Sequence, residues 1–475
     1  MTRPVIAGDD LVVVVPGVMG SGLADRDGHE VWGLSGGSAL RALRSFGRSV
    51  RTLELPADLG DGPAPDGVTA TGLLPTFHVI PGVWTPVQGY SELLRFLAAK
   101  RFGLSRASDG AAGAPAGNLV VFAYDWRLSN RYSAECLKRR VESALLRWRE
   151  SLPRRHDAKV VFICHSMGGL VTRWYLERLG GAELARVVVT LGTPHRGAVK
   201  ALDQLVNGVR KGPRPLKLDL TRFARSLPSS YQLLPEYACV DIGSGELAKT
   251  TEVELPGVVR QRVADGMRFH DDLDKEGALP YPLVPVIGIR QPTATTARLA
   301  GERLETRLTI GGADEGGDGT VPRLAARPKT MDGRDLVIRG VGEGHGAIAA
   351  HRSVTDQLDY VLTADDVTYR AAEVAPERVL AVGVPDLHDQ GEAIVVSVGF
   401  DSARAFEVIA LDERGSTAGQ ASVRYDGDVA PNGRPLGGAS LGPLEPGGYT
   451  IVVRAPEDPR GREVGPVRST TMVLG

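Results

Sequence analysis

The residues best suited by type and spacing to do chemistry run Val160-Val161-Phe162-Ile163-Cys164-His165-Ser166-Met167-Gly168-Gly169. A short apolar run enters a small-x-Ser-x-Gly turn, and a helical pattern leaves it. So sharp a turn lifts a serine hydroxyl clear of a sheet edge, provided the flanking residues are small enough for strand and helix to approach. Cys164 stands where the general pattern has glycine, and is small enough to fit. The amide of the next residue, Met167, would face an oxyanion formed on a carbonyl attacked by Ser166. The chemistry implied is nucleophilic acyl transfer, which also needs a base and an acid.

On a parallel-sheet scaffold these follow in the order serine, acid, histidine. The segment Gly316-Gly317-Asp318-Gly319-Thr320-Val321-Pro322 offers Asp318 on a glycine-rich turn, and Glu343-Gly344-His345-Gly346 offers His345 between small neighbours. Asp314 and His351 compete for these roles, but Asp314 lacks the Thr-Val-Pro continuation and His351 falls in what reads as the following helix. Taken singly, Asp318 is an ordinary turn carboxylate and His345 a loop imidazole. Their order after Ser166 is what joins them. A second oxyanion amide is expected from the loop after the first strand, Pro16 to Ser21, with Met19 as donor and Val18 in reserve.

Apolar runs too short for helices should position these residues: Leu11–Val15, Leu119–Ala123, Val160–Cys164, Val187–Leu191, Leu283–Ile289 and Asp335–Arg339. Amphipathic helices are expected over 132–151 and Gly168–Leu179. Continuous rather than alternating apolar strands, interleaved with helices, predict an α/β fold with a mostly parallel central sheet covered on both faces. The rhythm breaks over 34–87 and 195–282, which read as cap insertions. Past about Asp365 the runs Val379–Val384, Ala393–Phe400, Phe406–Leu411, Ala421–Tyr425 and Tyr449–Arg454 predict an immunoglobulin-like β-sandwich. The expected domains are therefore 1–368 and 369–475. The sandwich is expected to bind a partner or surface, leaving turnover intact when it is removed.

Composition excludes other classes. The chain has 475 residues, 42% hydrophobic and 24% charged, so disorder and fibrous architectures are excluded. A formal net charge of -1 gives no electrostatic case for nucleic acid. Cys136, Cys164 and Cys239 cannot build a disulfide framework and fit a reducing compartment. No window approaches the ~18–20 apolar residues of a membrane span, and the opening MTRPVIAGDD does not read as a secretory leader. A cytoplasmic location follows as the expectation. Neither a metal nor a cofactor is expected, since metal-ligand spacing and phosphate-cradling loops are both missing from the sequence.

The segments PGVMGS, YDWR, CHSMGG, GTPHRG, PSSYQLLP and GDGTVP, spread from Pro16 to Pro322, resemble the lecithin:cholesterol acyltransferase family of α/β-hydrolases, which includes lysosomal phospholipase A2 and bacterial and plant homologues. The likeness covers roughly the first 360 residues, and PGVMGS, YDWR and CHSMGG are its most specific parts. It implies a triad of Ser166, Asp318 and His345, oxyanion donors at Met19 and Met167, a mobile lid, and lipid acyl esters as substrates. A transient visit to a membrane surface goes with such substrates. Water resolving the acyl-enzyme gives a hydrolase and an alcohol an acyltransferase, and the sequence does not separate the two. Trp84 either lines an acyl groove or simply packs. In YDWR, Asp125 and Arg127 are expected to fix loops, with Trp126 packing. His165 and His195 are expected to be buried and hydrogen-bonded, and Tyr449 to pack as a sandwich corner tyrosine.

Overall fold

β-branched runs leave little helical propensity and much surface to bury, and they form the parallel sheet expected. Its strands are β1 (Leu11–Val15), β2 (Leu119–Val121), β3 (Val160–His165), β4 (Ala185–Leu191), β5 (Leu283–Gly288) and β6 (Arg339–Val341). Their order is β2-β1-β3-β4-β5-β6, with every neighbouring pair parallel. The computed structural model describes residues 9–33, 53–74, 89–107, 116–208, 210–211, 218–243, 245–275, 279–332, 339–350, 352–363, 380–430, 434–457 and 464–473. The expected strand Asp335–Arg339 thus falls largely outside the described residues, and the strand seen starts at Arg339. The domain boundary near 368 lies outside them too.

Side chains alternate across the sheet. Val13 and Val15 face one core with Phe162 and Cys164, while Val12 and Val14 face the other with Val161 and Ile163. Each such valine, fully buried, contributes roughly 1.5–3 kcal/mol. Helix α1 (Asn130–Ser151) starts two residues earlier than its apolar spacing suggests, because the Ser129 hydroxyl accepts from the Arg131 amide as an N-cap. It lays Leu137, Val141, Leu145 and Trp148 on the first core, beside helix α2 (Gly168–Arg178).

Strand order reverses at one place. The chain goes from β1 outward to β2, then returns to lay β3 on the other side of β1 and continues away through β6. Ligand crevices of open α/β sheets lie at the carboxyl ends of strands at such a switch. Here those ends carry Pro16–Gly20 and His165–Met167.

The excursion over 195–282 carries helices Val199–Asn207, Thr221–Ser226 and Arg260–Leu273. It does not close at 282 in space. Val240–Asp241 pairs in parallel with Thr296–Ala300, which forms a hairpin with Arg303–Arg307. Of the earlier irregular region, Thr69–Leu73 is a strand alongside Ser21–Ala24.

The C-terminal segment forms two sheets facing a common core. One joins Ala381–Gly383, Ile394–Gly399 and Leu436–Leu441; the other joins Leu387–His388, Val467–Val473, Gly447–Arg454, Glu407–Leu411 and Thr417–Ser422. Val396 and Val398 from the first meet Val408, Ile451 and Val453 from the second. The Tyr449 hydroxyl donates to the Glu445 carbonyl at 2.7 Å, tying the strand to the turn before it. Among the described residues no helix is long and apolar enough to cross a membrane.

Candidate active site

Ser166 lies at the tip of β3 with φ +51°, a left-handed conformation for a residue with a side chain. Holding it there costs about 1–3 kcal/mol. Its amide donates to the Leu191 carbonyl at 2.9 Å, and its carbonyl accepts from the Gly169 amide at 3.0 Å and the Thr193 hydroxyl at 2.8 Å. The turn closes because Gly168 comes hard against the end of β1. A Cβ there would meet the Pro16 carbonyl oxygen at 2.5 Å.

The three residues expected to act together are brought together. His345 Nε2 lies 2.9 Å from Ser166 Oγ, and His345 Nδ1 lies 2.8 Å from Asp318 Oδ2. All three are buried. The other Asp318 oxygen, Oδ1, accepts from the amides of Thr320 at 2.9 Å and Val321 at 2.7 Å. This is the use of the Thr-Val continuation. With one oxygen fixed by amides, the second is aimed at the imidazole, and a carboxylate can only accept, so Nδ1 carries the proton. Nε2 is then left as the acceptor facing Ser166. The His345 amide donates to the Asp318 carbonyl at 2.8 Å, locking the two loops together.

The competitors stand elsewhere. Asp314 is exposed on the short hairpin formed with Thr309–Ile310, and His351 lies outside the described residues. Trp84 also lies outside them.

Met19 has φ +61° in the tight turn after β1. The Gly20 amide closes that turn on the Gly17 carbonyl at 3.1 Å, and the Trp32 indole donates to the Met19 carbonyl at 3.2 Å. Gly17 is where this loop touches Ser166, since a Cβ there would lie 2.8 Å from Ser166 Cβ. Met167 opens α2 immediately after Ser166. Among the described residues neither the Met19 nor the Met167 amide donates to another protein group. Val18 is buried in the same loop.

Nothing in the sequence links His165 to Tyr90. Tyr90 accepts from the Gly17 amide at 2.9 Å and lies 2.9 Å from His165 Nδ1, while His165 Nε2 lies 3.3 Å from the His345 carbonyl. The carbonyl can only accept, so Nε2 carries the proton and Nδ1 accepts from the tyrosine hydroxyl. Burial pushes the phenol pKa up and so keeps that proton on Tyr90. The loop after β1 and the loop carrying His345 are thereby tied through one imidazole. The signal in the sequence was only that His165 precedes Ser166; nothing local points to Tyr90.

The remaining motifs buttress this centre. Cys164 is buried, its thiol pushed up to about 12 by that burial and 3.2 Å from the Thr172 hydroxyl, so it is an inert filler under the turn. Arg127 is fully buried and pairs with Asp125 at 2.7 Å and Asp66 at 2.8 Å, holding the 53–66 segment. The Trp126 indole donates to the Ser21 carbonyl at 3.2 Å, and the Ser229 hydroxyl to the Trp126 carbonyl at 2.8 Å. His195 is buried with Nε2 3.2 Å from the Thr190 hydroxyl, and burial drives its pKa well below the usual value. Among the described residues Asp25, Asp27 and His29 are the one group of three metal-ligand side chains that converge. They lie on a surface turn in which Asp25 Oδ1 accepts from the amides of Asp27 and His29.

Residues 110–274 match the family model described as lecithin:cholesterol acyltransferase. Among solved structures, a chain of the Tle4–Tli4 complex shares 15% identity, covering 76% of this chain and 100% of that one at a TM-score of 0.50. The Bacillus licheniformis lipase BlEst2 in its propeptide form shares 11%, covering 99% and 94% at a TM-score of 0.34. No curated protein matches. With the switch-point turn on its parallel sheet, the chain is lecithin:cholesterol acyltransferase-like over the segment that holds Ser166, and its fold is that of an α/β-hydrolase.

Proposed function

We propose that this protein is a serine hydrolase that cleaves carboxylic esters of lipid acyl type through an acyl-enzyme on Ser166. The observation that carries the reading is the continuous chain from Ser166 Oγ to His345 Nε2 at 2.9 Å and from His345 Nδ1 to Asp318 Oδ2 at 2.8 Å. Ser166 attacks the acyl carbonyl carbon while its proton passes to His345 Nε2, and Asp318 stabilises the imidazolium. The carbonyl oxygen becomes an oxyanion that accepts from the Met19 and Met167 amides. Collapse of the tetrahedral intermediate breaks the ester C–O bond, and the leaving alcohol takes the proton from His345. Water then attacks the acyl-enzyme, giving a proton to His345; the acyl–Oγ bond breaks, Ser166 takes that proton from His345, and the carboxylic acid is released. The hydrolase is assigned to residues 1–368 with its cap insertions, and the β-sandwich to 369–475. Lipid as the acyl source rests on the family likeness.

A second reading, transfer of the acyl group to an alcohol, is favoured by that family's description as acyltransferase. Fluorophosphonate labelling tests the shared core: wild type is expected to label at Ser166, and Ser166→Ala not to. Among p-nitrophenyl esters, turnover is expected to rise with acyl chain length; a preference for acetate would remove the lipid assignment. Adding a long-chain alcohol separates the two fates, since a transferase yields a new ester where a hydrolase yields fatty acid.

A further inference from the structure

The loop that bears His345 leaves β6, which among the described residues is the outermost strand of the parallel sheet and pairs only with β5. An edge strand gives the loop after it no neighbouring strand to lean on. Here the C-terminal sandwich supplies one. The Gly344 amide donates to the Arg468 carbonyl at 2.8 Å, and the Arg468 amide donates to Glu343 Oε2 at 2.7 Å. Arg468 belongs to the strand Val467–Val473, so both its main-chain groups grip the two residues just before His345. Glu343 is buried, and a buried carboxylate accepting an amide is a strong fixed contact.

Two further ties reach the same centre. Gln291 is buried; its Nε2 donates to the carbonyls of Gly342 at 2.5 Å and Leu380 at 3.0 Å, and its Oε1 accepts from the Val382 amide at 2.8 Å. One amide side chain thus joins the His345 loop to the first strand of the sandwich. Its own main-chain N–H donates to Gly317, next to Asp318, at 3.0 Å. Lys200 forms an ion pair with Asp386 of the sandwich and lies 3.5 Å from the Thr320 hydroxyl. The loops of both the imidazole and the carboxylate therefore lean on residues after 380.

We propose that the C-terminal sandwich is a positioning part of the catalytic centre: the edge of its strand Val467–Val473 holds the His345 loop in register with Ser166. This rests on the serine-hydrolase reading. It reverses the expectation that turnover survives loss of everything after about Asp365, and it makes Glu343 and Gln291 positioning residues.

The experiment compares full-length wild type, Glu343→Ala and Glu343→Gln, with p-nitrophenyl ester kinetics and hydrogen–deuterium exchange. The alanine variant is expected to lose about tenfold or more in kcat with KM within twofold, because small misplacements of reacting groups are costly. The glutamine variant keeps an acceptor for the Arg468 amide and is expected to restore most of the loss. Exchange in Glu343→Ala should quicken together in peptides spanning 339–350 and 464–473. Full kcat in the alanine variant, equal loss in both variants, or unchanged exchange in both peptides overturns the proposal. Should Glu343→Ala fail to fold, Asp386→Ala cuts the tie to the Asp318 loop instead, with a few-fold lower kcat and faster exchange over 316–323 expected, and no change in either contradicting it. Wild type that neither turns over ester nor labels at Ser166 would overturn the functional reading, while the exchange comparison still decides the clamp.

Discussion

At the scale of single residues, Asp318 has no spare oxygen. Oδ1 is held by two amides and Oδ2 faces His345. In Asp318→Asn the amides keep the carbonyl oxygen, so the new NH2 faces Nδ1 and forces the ring proton onto Nε2, where it opposes the Ser166 hydroxyl. The expected result is a fall in kcat of about 10³–10⁴-fold with KM little changed and an unaltered circular dichroism spectrum. A loss under tenfold would mean that another carboxylate orients the imidazole. Ser166, Asp318 and His345 were legible in the sequence because each sits in a turn whose small neighbours betray it. Tyr90 and Gln291 were not. Their partners are 75 and 51 residues away, and no local pattern distinguishes them from other buried polar side chains.

At the scale of elements, what could be read was decided by apolar continuity. β1 through β5 bury mostly apolar runs, and all five appear where the runs do. The sandwich strands Leu436–Leu441 and Val467–Val473 carry no clear strand signal, because LGGASL is small and glycine-rich and three of the seven residues of VRSTTMV bear hydroxyls. Their strand state comes from pairing with partners already in place, a tertiary effect that overrides weak local preference. The pairing of Thr296–Arg307 with the excursion was hidden for the same reason.

The helix Arg260–Leu273 carries its own prediction. It packs through Phe269, stacked on Trp174 at 5.0 Å, and buries the neighbouring His270. That burial lowers the His270 pKa from 6.5 to about 4. The unfolded chain therefore binds more protons between those values, so stability is full above about pH 6.5 and is lost as pH falls toward 4. By linkage the loss from this residue is about 2 kcal/mol at pH 5. His195, lowered in the same direction by burial, adds to it. The melting temperature is expected to fall between pH 7.5 and 5, and to fall less in His270→Gln. A flat profile, or an unchanged slope in the variant, would contradict the assignment.

Across the whole molecule, the centre is assembled from four stretches of chain, the Asp318 loop among them. The loop after β1 meets the turn after β3 at the reversal of strand order, and the His345 loop arrives from the sheet's far edge, braced by the sandwich. The proposed function requires Ser166 to carry the acyl group. Acid-quenched mass spectrometry of the protein mixed with a long-chain p-nitrophenyl ester tests this most directly. An adduct of one acyl mass on the peptide bearing Ser166, formed during the first turnover and lost in Ser166→Ala, is the predicted result. Hydrolysis that continues in Ser166→Ala, or an acyl adduct on a different residue, would contradict it.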